Sequence, residues 1–519
     1  MGTVCAIDQD KLKDRRHMLT DQTHLIRIFN KKMSVTPRNN QKICFKDQVI
    51  NTEEITDHYV IEEGLIGEGS FGKVRKAKSR RKLNTKFAIK TIPKTRDKSI
   101  QRLLKMEINT LKAMDHPNIA KLFEIYEDEL NFHFVLELVD GEELINKIEI
   151  GKRMTEREIK GYFYQILKAL NHIHSKGICH RDVKPQNFIV SNKPGVADLK
   201  IVDFGLSTRY IHKGGRIKLF KVCGSPNYIA PEILKGDYDE RSDIWSAGII
   251  LYYMVTRNLP FKKNHIFDAG FYKQVLRKEI NFSKFGFMKN AKRLCKSLLE
   301  RCPDKRISLI QALNHPWFTD ISIPKPLSSE RNDFLNKLYK YKTENIFKRQ
   351  IYFLIAKLKN QIDYSEYVKL FNHIDRDRDG CINFIELRDF LCSGEDKLAN
   401  DDLLKLLKSI KWRRINSISY SEFISICLMD SYIGNEFFFK ELFVYLSKGK
   451  GSFLKIDELN KFLHWPEEND LKNEFICFIE TINKQRTTSE IDYNTFIKLL
   501  RNYKTTRTIS GVSTKASFP

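Results

Sequence analysis

The run Gly67-Glu68-Gly69-Ser70-Phe71-Gly72-Lys73-Val74 opens an ordered series of phosphate-handling motifs that few folds accommodate. A glycine run of this kind also serves dinucleotide folds, so the constraint comes from the motifs C-terminal to it. Phe87-Ala88-Ile89-Lys90 lies in an alternating strand pattern, and Lys105-Met106-Glu107 lies in a helical one. Next come His180-Arg181-Asp182-Val183-Lys184-Pro185-Gln186-Asn187, then Asp203-Phe204-Gly205, then Ala230-Pro231-Glu232. Chance matches to one motif are common; matches to all of them in this order are not.

The order is similar to that of protein kinases, and the resemblance implies a bilobal α+β fold. In that order the glycines let backbone amides approach ATP phosphates without interference from Cβ, so Ile66 and residues 67–74 are expected at the nucleotide. Lys90 is expected to hold the α- and β-phosphates, with Glu107 as its partner. Glu137 and Glu143 are also placed at the nucleotide; Glu143 faces either the ribose or a basic residue upstream of the target. Asp182 is expected to accept the substrate hydroxyl proton, and Lys184 to reach the γ-phosphate. Asn187 and Asp203 are the expected Mg²⁺ ligands. Lys184 and the segment Gly224-Ser225-Pro226-Asn227-Tyr228 resemble Ser/Thr rather than Tyr kinases, and Glu143 points to an Arg-x-x-Ser/Thr preference. Gln186 stands where basophilic kinases often carry Glu, and Leu136 is the expected gatekeeper. Residues 211–222 hold no Ser or Thr, so control by phosphorylation there is not expected.

A second signal begins further along. Apolar residues recur at Ile382, Ile418, Leu454 and Ile491, in steps of 36, 36 and 37 residues. That is the size of a helix-loop-helix EF-hand, with these residues at the eighth loop position. Only the first loop is fully equipped. Asp375, Asp377, Asp379, the Cys381 carbonyl, Asn383 and Glu386 occupy the calcium-ligand positions, and Gly380 allows the sharp turn. The second loop keeps Glu422 but has Lys411 and Arg413 where carboxylates belong, and two cations facing Ca²⁺ oppose binding. The third keeps Glu458 but lacks acids at positions 1, 3 and 5. The fourth lacks its first and last ligands. Loops two to four are therefore expected to be structural.

Between the two signals, residues 335–355 read as one basic, amphipathic helix of the calmodulin-target type. The chain carries 90 Lys and Arg against 65 Asp and Glu, a net charge of +25, spread along its length rather than in blocks. No nucleic-acid partner is expected. Ten scattered cysteines show no metal spacing and read as thiols in a reducing compartment. The longest apolar run, 247–255, is too short to span a bilayer.

From residue 59 to 501 this order of parts resembles the calcium-dependent protein kinases of plants and apicomplexan parasites. The resemblance implies six regions. They are a basic extension (1–58), a kinase domain (59–318), an autoregulatory junction helix (319–362), an EF-hand pair with one intact loop (363–429), a degenerate pair (430–501) and a tail (502–519). It also implies ATP, Mg²⁺ and Ca²⁺ as cofactors, protein substrates, and a junction helix that exchanges between the kinase and the EF-hands. The family commonly keeps three or four good calcium loops; this chain keeps one. Gly2 and Cys5 are candidate lipid anchors beside Lys11, Lys13, Arg15 and Arg16, which would place a cytoplasmic protein at an acidic membrane surface, although Ala6 departs from the usual acylation signal. Two alternatives stay open: a calcium-responsive scaffold with a kinase fold, and a kinase whose EF-hands are purely structural.

Overall fold

Residues 86–93 alternate too little for a half-exposed strand, because Phe87, Ala88, Ile89 and Lys90 are all buried. A strand covered on both faces belongs in the middle of a sheet. In the computed structural model β3 (Lys86–Pro93) is the central strand. It pairs antiparallel with β2 (Gly72–Ser79) on one side and β5 (Asn131–Glu137) on the other. The order β1-β2-β3-β5-β4 is completed by β1 (Tyr59–Gly69) and β4 (Leu122–Glu127). Helix α1 (Lys98–Ala113) buries Ile100, Leu104, Ile108 and Leu111, the i, i+4, i+8, i+11 stripe of a helix lying on a sheet.

The structure describes residues 50–502 apart from 70–71, 81–85, 96, 192–198, 213–214, 262–268, 321–327, 359–363, 393–404, 407–409, 411–416, 430–434, 448–452, 456–458 and 460–489. The expectations for Gly2, Cys5, Ser70, Phe71, Lys411, Arg413 and Glu458 lie outside the described residues. No helix among the described residues is long and apolar enough to cross a membrane.

The chain forms two compact units. One comprises Met1–Arg80, Asn84–Lys325 and Gln361–Glu386; the other comprises Arg81–Leu83, Pro326–Asn360 and Leu387–Pro519. In the first, the sheet is followed by a mainly helical lobe. Its long helix α2 (Glu156–Ser175) starts at a capping box, in which Thr155 and Glu158 satisfy each other's backbone N–H groups. Helix α3 (Arg241–Thr256) is buried along nearly its whole length, and Trp245 stacks on Phe261 at its base. The acidic loop 375–386 belongs to this first unit.

In the second unit the segment expected as a single helix is two, α4 (Ser328–Thr343) and α5 (Ile346–Leu358). The break has a local cause: Asn345 Oδ1 accepts from Lys348 N at 2.8 Å and so caps a new helix. Residues 346–356 of α5 are all buried, so α5 is a core helix rather than an amphipathic surface one. It packs on helices Tyr420–Cys427 and Tyr493–Asn502. Phe334 of α4 stacks on Phe423, with ring centroids 5.0 Å apart, and Phe347 of α5 meets Phe496 edge-on at 5.7 Å. The four apolar residues of the repeat are each the middle residue of a short strand: Cys381–Asn383 in the first unit, and Ser417–Ser419, Phe453–Lys455 and Glu490–Asp492 in the second. The last two strands pair antiparallel with Leu454 opposite Ile491.

Candidate functional site

Strand β3 and helix α1 bring a buried cation and carboxylate together. Lys90 Nζ lies 2.5 Å from Glu107 Oε1 and 2.8 Å from Asp203 Oδ1. Burial disfavours the Lys90 ammonium, but Asp203 and Glu107 outweigh it and hold its pKa above the ordinary lysine value. Burial likewise opposes ionisation of Asp203, yet Lys90 and the Gly205 N–H hold its carboxyl well below the usual range. Asp203 is thus a fixed anion at the mouth between the lobes, and Phe204 anchors it by packing on His180 with ring centroids 5.2 Å apart.

At the tip of β1 and β2, Gly67 lies opposite Val74, Glu68 opposite Lys73, and Gly69 opposite Gly72. Ile66, Glu68 and Lys73 are exposed. A Cβ on Gly67 would meet nothing within 4 Å, so that position is open to a ligand. Gly72 differs, because a Cβ there would sit 2.4 Å from the Thr91 carbonyl. Its small size serves the β2–β3 approach as well as any phosphate. The Glu137 carboxylate is engaged by Lys200 at 2.9 Å and by the Lys121 N–H at 3.3 Å. A nucleotide contact by Glu137 therefore falls to its main chain. Glu143 precedes helix Leu144–Glu149; burial raises its carboxyl pKa and Lys184 opposes that rise.

Asp182 is buried and held from three sides. Lys184 Nζ approaches Oδ2 at 2.7 Å, and Ser225 donates to Oδ1 through N at 3.0 Å and Oγ at 2.7 Å. Asn187 Nδ2 donates to the Asp182 carbonyl at 2.8 Å, which leaves Oδ1 of Asn187 as its candidate ligand atom. Arg181 occupies the left-handed region at φ 67°, and Gly224, at φ 101°, passes so close that a Cβ would lie 2.4 Å from the Arg181 carbonyl. Sequence reasoning missed the group that holds this strained turn. Asp243 of α3 accepts from His180 N at 2.8 Å, Arg181 N at 2.9 Å and His174 Nε2 at 2.9 Å. A lone acid inside an apolar helix was the available signal. Glu232 forms a buried two-bond pair with Arg306, at 2.5 and 3.0 Å, which pins the end of the activation segment.

The loop 375–386 gathers oxygen atoms of Asp375, Asp377 and Glu386 within 4.8 Å of one another. Glu386 accepts from Arg376 N, Asp377 N and Asn383 N at 2.7 to 3.0 Å. Asp379 and Asn383 instead turn to backbone N–H groups of Cys381, Ile385 and Glu386. Burial, then Glu386, Asp379 and Asp377, push the Asp375 carboxyl pKa far up, and its Oδ1 is buried without a hydrogen-bond partner. Converging hard oxygens with an unsatisfied member fit a divalent cation of the Ca²⁺ type. In the second loop Glu422 is spent on a capping box with Ser419.

A lysine–carboxylate pair, a buried loop aspartate and a fixed second aspartate across a glycine-tipped hairpin define a protein kinase. The protein kinase domain family matches residues 60–318. The chain is 32% identical to calcium-dependent protein kinase 5 of Plasmodium falciparum over 516 residues, covering 96% of this chain and 87% of that one. It is 32% identical to the Plasmodium berghei calcium-dependent protein kinase 5 over 466 residues, covering 88% and 81%. It is 33% identical to calcium-dependent protein kinase 27 of Arabidopsis thaliana over 384 residues, covering 72% and 77%. The chain belongs to the calcium-dependent protein kinase family.

Proposed function

We infer that the chain is a calcium-regulated serine/threonine protein kinase, in which Asp182 serves the transfer and the loop 375–386 senses calcium. The observation that carries this reading is the Lys90–Asp203–Glu107 cluster together with an Asp182 carboxylate held by Lys184 and Ser225, in a unit that also contains an oxygen-lined loop.

Asp182 takes the proton of the target hydroxyl as that oxygen bonds to the γ-phosphorus and the bond to the β-phosphate oxygen breaks. Lys184, 2.7 Å from Asp182, neutralises charge developing between them. Lys90 orients the α- and β-phosphates, and Asp203 with Asn187 Oδ1 would hold Mg²⁺, which supplies charge neutralisation when bound. Glu143 favours an arginine upstream of the target residue, giving an Arg-x-x-Ser/Thr preference.

The strand-centred repeat, with its first strand in the first unit and the other three in the second, supports two EF-hand lobes, with loops two to four structural. The packing of α4 and α5 on the helices of that unit supports a junction segment held by EF-hands. The double substitution Asp375→Ala/Glu386→Gln tests the calcium reading. Calcium-stimulated peptide phosphorylation is lost in the variant while ATP binding stays; a full calcium response in the variant would remove the loop from the switch.

A further inference from the structure

One face of the C-terminal half of α2 is occupied by the calcium loop and the residues just before it. Tyr164, Lys168, Asn171, His172 and Lys176 share that face at helical spacing. Asn171 Nδ2 donates to the carbonyls of Asp377 at 3.0 Å and Arg378 at 2.9 Å. His172 Nδ1 lies 2.7 Å from the Asp379 carbonyl, and only an N–H there can make that bond. The other ring nitrogen of His172 lies 3.4 Å from Asp115 N, which it accepts from, so both sides of the imidazole are used. Carbonyls at loop positions three, four and five are thus taken by Asn171 and His172 of the catalytic lobe, with Ser175 Oγ adding a longer bond to the Asp379 carbonyl at 3.5 Å. They are not the carbonyl at position seven that a calcium loop gives to its ion.

Two further residues point the same way. Gly380, at φ 79°, has its open side against the imidazoles: a Cβ would lie 2.3 Å from His172 Nδ1 and 2.8 Å from His116 Cδ2. This glycine therefore serves the sharp turn and the close approach of the helix together. Arg378, also in the left-handed region at φ 58°, bonds back to the carbonyls of Asn372 and Asp375 while its Nε donates to Tyr164 Oη at 3.1 Å.

We propose that Asn171 and His172 are outer positioning residues of the calcium site, so that the kinase lobe sets the calcium affinity of this chain's one complete loop. This role rests on the calcium reading of residues 375–386. Residues that orient ligands from behind change metal affinity by roughly 10–100-fold. Linkage makes the effect reciprocal: calcium in the loop strengthens its hold on α2 by the same factor.

The test is direct calcium binding to the full chain, by titration calorimetry, in wild type, Asn171→Leu and His172→Phe. Both variants are expected to bind calcium about tenfold or more weakly, with thermal melts in EGTA near wild type. Unchanged calcium Kd in both variants, with wild type binding normally, would overturn the proposal and leave the calcium reading intact. No binding by wild type would overturn both. Should either variant fail to fold, hydrogen exchange on the unmodified chain decides: calcium is expected to slow exchange in 156–175 as well as in 375–386. Slowing confined to 375–386 would count against the coupling.

Discussion

Ser225 Oγ donates to Asp182 Oδ1 at 2.7 Å, so the residue that would open the target-binding segment also holds the residue that would take the proton. A hydrogen bond to a charged acceptor contributes about 1.5–3 kcal/mol. Ser225→Ala is therefore expected to lower kcat roughly 10- to 100-fold with little change in KM for ATP, and Ser225→Thr to restore most of it. Steady-state rates on a serine peptide check this; equal kcat for wild type and Ser225→Ala would show that the bond is idle.

Asp182→Asn keeps the shape of the site and removes the base. General-base loss costs about 100- to 10,000-fold. Peptide phosphorylation should fall by that much while nucleotide binding persists. A variant that retains every cellular role of the protein would favour a scaffold over an enzyme.

The activation segment carries no Ser or Thr in 211–222. Arg181, the cation that would receive a phosphate there, already donates from Nε to the Leu206 carbonyl at 2.7 Å and is hydrogen-bonded to Tyr238. Tyr210 is buried, with its hydroxyl donating to the His174 carbonyl at 2.9 Å. Phosphatase-treated enzyme should keep its full calcium-stimulated rate. A several-fold loss, recovered on rephosphorylation within this segment, would contradict that.

His116 gives the fold a pH dependence. Burial, and then the nearby His172, Lys168, Lys200 and Lys176, hold its pKa well below 6.5. The unfolded chain takes up this proton near 6.5 and the folded chain only at lower pH. The stability contributed by the neutral ring is thus complete above 6.5 and is lost as pH falls below it. Thermal melts between pH 7.5 and 5 should show falling Tm, with a slope of up to about 1.4 kcal/mol per pH unit from this one group. His116→Gln should flatten the slope; an unchanged slope would assign it to other groups.

Much of this was legible in sequence because the chemistry is local. The protein kinase reading followed from motif order, and the spacing of Ile382, Ile418, Leu454 and Ile491 anticipated four residues that each centre a short strand. The features that were not legible depend on partners distant along the chain. Asp243 reads as a stray acid until the fold sets it under the backbone of His180 and Arg181. The break before Ile346 needs the capping geometry of Asn345, and the burial of Lys348 and Arg349 needs the helices that cover α5. Gly72 looked like a phosphate glycine, and its neighbour at Thr91 becomes visible only in the β2–β3 pairing.

The most direct measurement is phosphate transfer to an Arg-x-x-Ser peptide by purified full-length protein with Mg-ATP, in micromolar free calcium and in EGTA. The rate is predicted to be at least about tenfold higher with calcium, the size of a typical coupling free energy between two sites. Equal rates in the two buffers would contradict calcium control through the loop 375–386.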